Sequence, residues 1–166
     1  MIKKLLALFA GLALIAGCSS SENGFSSQDI MFAEMMIPHH EQAIAISDLA
    51  LRNSSNPAVL ALAEQISNAQ TPEINQMKSW PGVDASTHMG HMMDGMLSED
   101  EMSSLAAAKD EAFDRLFLEG MIKHHEGAIE MAEMVIDSNN VEVSSLARAI
   151  IAAQAAEIAE MQALLK

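Results

Sequence analysis

Cysteine is almost missing from this chain: of 166 residues only Cys18 carries a thiol. The body of the protein therefore has no disulfide and no thiolate metal ligand. Aromatic residues make up 4%, with no tyrosine and one tryptophan, so a core must be filled by aliphatic side chains and methionine. Basic residues are scarce, nine against 23 acidic, for a formal charge of −14. A surface of that sign repels nucleic acid and anionic lipid and gathers cations, and it also keeps a protein soluble. No phosphate loop, nucleophilic triad or basic patch is present. Glu-x-x-His, which a di-iron bundle needs on two helices, is absent as well. The residues three before the six histidines are Met36, Ile37, Ala85, His88, Met121 and Ile122.

What the chain has is methionine, fourteen of them, and one phrase written twice. Met36-Ile-Pro-His-His-Glu-Gln-Ala-Ile returns 85 residues later as Met121-Ile-Lys-His-His-Glu-Gly-Ala-Ile. The likeness extends outward: Asp29, Phe32 and Glu34 recur as Asp114, Phe117 and Glu119. With one residue deleted, Leu62, Ala63, Ile66, Gln70, Glu73, Ile74 and Met77 recur as Leu146, Ala147, Ile150, Gln154, Glu157, Ile158 and Met161.

Apolar residues at helical spacing predict helices over 29–52, 57–78, about 98–137 and about 141–165. Ser26 or Ser27 is a cap for the first, and Ser98-Glu99-Asp100-Glu101 is a capped acidic start for the third. Pro38 is expected to bend the first helix and Pro72 to kink or break the second near Thr71. Each hairpin has an apolar face it cannot bury alone. The pattern thus predicts an all-α four-helix bundle of two repeated hairpins, 28–80 and 98–166, forming one domain. Residues 81–97, with three glycines at 82, 90 and 95, read as a His/Met-rich linker: a flexible metal-capture segment or a solvated loop.

Residues 1–17 have a basic start (Lys3, Lys4) and an apolar run, Leu5 to Ala16, too short to span a bilayer. They read as a signal peptide, and Ile15-Ala16-Gly17-Cys18 resembles the bacterial lipoprotein signal. That resemblance implies lipidation of Cys18, a tether over 18–27 and a periplasm-facing domain anchored to a membrane, the outer one where the cell has two. The simpler alternative is a secreted protein with a chance cysteine.

Residues three or four apart share a helix face, which sets Met36 beside His39 and His40 and Met121 beside His124 and His125. Met131 returns to the face of His124, Met134 lies a turn further, and Met35 forms a row with Met31 and His39. Thioethers with imidazoles at low coordination number select Cu(I), and Ag(I) likes the same donors. Neighbours on a helix differ by about 100°, so one histidine of each pair is expected to point inward. The other would orient the site from behind, through Glu41 or Glu126. A secondary cluster lies in the linker: His88, Met89, His91, Met92, Met93 and Met96. Against this stands the plainer reading of each feature. Methionines at helical spacing fill cores, and buried histidines are commonly just hydrogen-bonded.

The duplicated Met-Ile-x-His-His-Glu-x-Ala-Ile hairpin resembles the family known as domain of unknown function 305, over about 27–165. The resemblance implies a ferritin-like bundle and, from members that bind copper in the periplasm, ligand roles for Met36, His39, His40, Met121, His124 and His125. The expected function is copper binding for sequestration, tolerance or delivery, with no enzymatic activity, no nucleic-acid partner and a copper-delivery protein as candidate partner. The alternatives are a metal-free structural or interaction lipoprotein and, further off, a ferritin-like di-iron oxidase.

Overall fold

The computed structural model describes residues 24–166 apart from Met89 and His91. The expected signal peptide, Cys18 and the tether up to residue 23 therefore lie outside the described residues, as do those two members of the linker cluster.

Among the described residues the fold is all-helical. Helix α1 (Ser27–Asn53) opens on a capping box: Ser26 Oγ accepts from the Asp29 amide at 3.2 Å, and Asp29 Oδ2 accepts from the Ser26 amide at 2.7 Å. Such reciprocal caps satisfy donors that the first turn otherwise leaves orphaned. Helix α2 (Pro57–Lys78) has Asn56 as cap and proline in its first turn, where the missing N–H costs nothing. Pro38 lies within α1, and Pro72 does not break α2; the Thr71 hydroxyl donates to the Ser67 carbonyl at 2.7 Å just before it.

The single long helix expected over 98–137 is two. Helix α3 (Glu99–Ala107) ends at Ala108, and α4 (Asp110–Glu133) begins on Asp110, whose φ of +50° is unique among the described non-glycine residues. Buried Asn53, at the end of α1, explains the break. Its side-chain amide donates to the Ala106 carbonyl at 3.1 Å, and its oxygen accepts from Lys109 Nζ, so one residue grips both sides of the joint. Helix α4 also stops early, and 134–137 form turns. Helix α5 (Val141–Leu164) follows, capped by Asn140.

Helices α1 and α2 pack as one hairpin and α4 and α5 as the other; α1 lies along α4, α2 touches α5, and α3 rides on α1 and α4. Two apolar clusters show the helix directions. One joins the first half of α1 (Phe32, Met36, Ile37) to the end of α2, the end of α4 and the start of α5. The other joins the second half of α1 (Ala43, Ile46, Ala50) to the start of α2, the first half of α4 and Met161. Ring neighbours are therefore antiparallel. Fully burying residues such as Phe32, Phe113 and Phe117 contributes about 1.5–3 kcal/mol each.

Between the clusters every bundle helix supplies two polar residues: His39 and His40, Gln70 and Glu73, His124 and His125, Gln154 and Glu157. The bundle has a polar waist.

Candidate metal centre

The repeat puts the waist together. Because α1 and α4 are equivalent and antiparallel, their histidines meet at mid-length. The His39 and His124 rings lie 3.8 Å apart between centroids, tilted by 41°. His40 and His125 flank them, each 6.4 Å from its sequence neighbour. All four are fully buried, although only one of each pair was expected to point inward. A helix with two packed neighbours buries an arc wide enough for adjacent residues: His39 faces α4, while His40 faces α2.

The carboxylates that hold the outer pair are not Glu41 and Glu126. Those follow their histidines onto the solvent face; both are exposed, and Glu41 pairs with Lys78 at 2.7 Å. The partners come from the other helix of each hairpin. His40 Nε2 lies 2.9 Å from Glu73 Oε2, and His125 Nε2 lies 2.7 Å from Glu157 Oε2. Glu157 also accepts from Gln65 Nε2 at 3.1 Å, which ties α2 to α5. Glu73, Glu157, Gln70 and Gln154 recur at matching repeat positions, polar residues among apolar ones. That periodic polarity was the signal for them.

His39 Nε2 lies 3.2 Å from the Asp94 carbonyl oxygen. The supposed linker is thus strapped over the α1–α4 seam. Gln42 clamps it at both ends of one peptide residue, accepting from the Leu97 amide at 2.8 Å and donating to the Leu97 carbonyl at 2.9 Å. Gly127, which occupies the equivalent place in the second copy, receives it: a Cβ there would lie 2.1 Å from the Asp94 carbonyl oxygen. Trp80 and Leu97 are buried, and Met93 packs against the first cluster. Neither a flexible nor a solvated linker describes these contacts.

Burial sets the protonation of the central pair. It lowers the pKa of His39 from 6.5 to about 3, with the neighbouring His40 adding to the effect. His124 is pushed well below 6.5 by burial first and then by His39. Both rings are neutral at neutral pH, and each neutral imidazole carries one lone pair. Five buried ring nitrogens have no well-formed hydrogen bond: Nδ1 of His39, His40 and His125, and both nitrogens of His124, whose ring has only a weak contact with the His39 backbone. The Gln70 and Gln154 amides are also unpartnered. Buried polar atoms usually find partners, so orphans concentrated in one layer mark a place built to receive something polar.

The methionines divide. Met36 and Met131 are buried in the first cluster and Met121 in the second, so thioethers border the imidazole layer on both sides. Met35 is partly buried against the first cluster, whereas Met134, beyond the end of α4, is 45% exposed and outside the core. Of the loop residues, Met92 is 60% exposed, Met96 is half-buried, and His88 approaches Glu34 at 4.0 Å. What the loop hydrogen-bonds to the waist is the Asp94 backbone. Among the described residues no three His, Cys, Asp or Glu side chains form a ready metal cage. A donor set of imidazole nitrogen and thioether sulfur fits a soft ion of low coordination number, which needs no such cage. No described helix is long and apolar enough to cross a membrane.

The family model for Domain of unknown function (DUF305) matches residues 29–165. Among solved structures the chain is similar to a putative secreted DUF305 protein from Streptomyces coelicolor, at 30% identity over 84% of this chain and 92% of that one, with a TM-score of 0.75. It is also similar to a DUF305 fragment from Deinococcus radiodurans, 35% identical over 84% and 96% of the two chains, with a TM-score of 0.74. CopM in its Cu(I)-bound form is 34% identical over 82% and 94%, with a TM-score of 0.69. CopM is known in Cu(II)-bound, Ag-bound and apo forms as well. No curated protein matches the chain.

Proposed function

This chain belongs to the DUF305 family, and from that premise we propose that it binds copper, as Cu(I), in the polar waist of its bundle, with Ag(I) as an alternative occupant. The observation that carries the reading is the set of five buried imidazole nitrogens without a well-formed hydrogen bond, bordered by Met36, Met121 and Met131. With no thiol among the described residues, thioether is the soft donor at this layer and selects Cu(I), and imidazole is a borderline donor that copper accepts beside it. The likeness to CopM, a protein solved with copper and silver bound, supports the same ions.

The role is to hold or hand over copper rather than to transform a substrate. The site offers ligands and no nucleophile or acid poised beside an open cleft. The acidic surface concentrates cations near the bundle. An export leader and a lipidated Cys18 would place the domain on the outer side of a membrane, where thioethers survive oxidation better than thiols do.

The test is anaerobic Cu(I) titration of the domain from Ser19 onward against a chromophoric chelator, with two variants beside it. One replaces His39, His40, His124 and His125 by alanine; the other deletes 87–96. Tight binding lost in the alanine variant supports the waist. Loss confined to the deletion moves the ion to the loop, and no binding by the intact domain overturns the copper reading in favour of a metal-free interaction lipoprotein.

A further inference from the structure

Each imidazole has two chemically distinct nitrogens, and in this bundle three of the four rings have already committed one of them. Nε2 of His40 and His125 meets the Glu73 and Glu157 carboxylates, and Nε2 of His39 meets the Asp94 carbonyl. A carbonyl oxygen only accepts, and a carboxylate oxygen accepts from an imidazole N–H, so these contacts place the proton of all three rings on Nε2. The lone pair is then on Nδ1, which in each ring is buried and unpartnered. We infer that Glu73 and Glu157 are positioning residues that fix the Nε2–H tautomer, so that the metal ion meets Nδ1 and not Nε2 of His40 and His125, with Asp94 doing the same for His39.

Nδ1 is bonded to Cγ, at the near edge of the ring, so an ion held there sits close to its own helix. The side chain that shares that surface is the one three or four residues earlier. For both members of the first pair that residue is Met36, buried at the edge of the waist. Coordination through Nδ1 thus brings nitrogen and sulfur from one helical turn to one ion. Coordination through Nε2 would instead place the ion at the far end of the ring, where the carboxylates already are, and would break both His–Glu bonds. His124 differs from the other three: neither of its nitrogens makes a well-formed hydrogen bond, and only a weak contact with the His39 backbone bears on its tautomer.

The inference rests on the copper and silver reading, and a test can separate the two. Uniformly 15N-labelled domain from Ser19 onward is first studied metal-free by two-bond proton–nitrogen correlation of the imidazoles. His39, His40 and His125 should show a protonated Nε2 and a bare Nδ1. Silver(I) is then added, whose nuclear spin splits the resonance of any nitrogen bonded to it. Splitting is expected at Nδ1 of His40 and His125. Bare Nε2 in the metal-free protein, or splitting at Nε2, overturns the inference and leaves silver binding standing. The stated tautomers with no silver bound at any ring overturn the metal reading, and with it the coordination inferred here. Glu73→Gln and Glu157→Gln supply the second arm. A glutamine side chain can donate as well as accept, so His40 or His125 should become a tautomer mixture and silver affinity should fall about 10–100-fold. A purely structural role for the glutamates predicts lower stability with unchanged tautomers and affinity, which would also overturn the inference.

Discussion

Replacing His124 by leucine should stabilise the metal-free protein. His124 is fully buried and neither ring nitrogen makes a well-formed hydrogen bond, the contact with the His39 backbone being the weakest influence on the ring. Each unsatisfied buried polar atom costs about 1–3 kcal/mol. Leucine has a similar volume, so neither a cavity nor severe crowding follows; volume-conserving swaps cost less than about 1.5 kcal/mol. The lost ring contact with His39 subtracts about 0.5–1.5 kcal/mol. The balance is a gain of about 1–3 kcal/mol, which in a domain of this size raises Tm by roughly 3–9 °C. The assay is thermal and urea unfolding of wild type and His124→Leu with a strong chelator present. It is then repeated with Cu(I) at a hundredfold excess over its Kd, where a bound ion adds about 2.7 kcal/mol to the wild type. The variant should gain less, so the order of stability narrows or reverses. A metal-free variant less stable than wild type by over about 1 kcal/mol would refute the reasoning, because His124 would then be a satisfied structural residue.

Three further outcomes follow from the same geometry. Gly127→Ala places a Cβ 2.1 Å from the Asp94 carbonyl oxygen. The strap must shift, at a cost of about 1–3 kcal/mol, and the Leu97 amide held by Gln42 should exchange faster with deuterated solvent. Acid should destabilise the metal-free domain from about pH 6.5 downward. The unfolded chain protonates His39 and His124 there, while burial holds both neutral in the fold, His39 down to about pH 3. The stability these two contribute is complete above pH 6.5. Each removes up to about 1.4 kcal/mol per pH unit below it, so urea midpoints between pH 7 and 5 should fall less steeply in His124→Leu. Asn53→Ala should cost about 0.5–1.5 kcal/mol for each hydrogen bond lost to the Ala106 carbonyl and Lys109 at the α3–α4 joint, and differential scanning calorimetry would read the loss.

The α3–α4 joint shows where local pattern runs out. Residues 106–109, Ala-Ala-Ala-Lys, are good helix formers with no glycine or proline among them. Nothing local ends a helix there. The break comes from Asn53, distant in sequence, whose amide takes the freed carbonyl. The strap is a similar case. Glycine and methionine content marked 81–97 as irregular, but its seat depends on Gln42 and Gly127. These two occupy the same place in the two copies, one as a clamp and the other as an empty space. Pro72, expected to kink or break α2, leaves it unbroken because tertiary packing outweighs one lost backbone bond.

Apart from the α3–α4 break and the early end of α4, the sequence by itself determined the helices, the hairpin repeat and the bundle, because helical periodicity and caps act over a few residues and duplication repeats them. It also placed His39, His40, His124 and His125 at corresponding points of equivalent helices. Tertiary structure alone decided which side chains face these histidines. A helix position fixes the direction of a side chain relative to its own axis, but the partner comes from whichever helix packs there. That is why Glu41 and Glu126, neighbours in sequence, lie on the solvent face. Glu73 and Glu157, more than thirty residues away, hold the imidazoles.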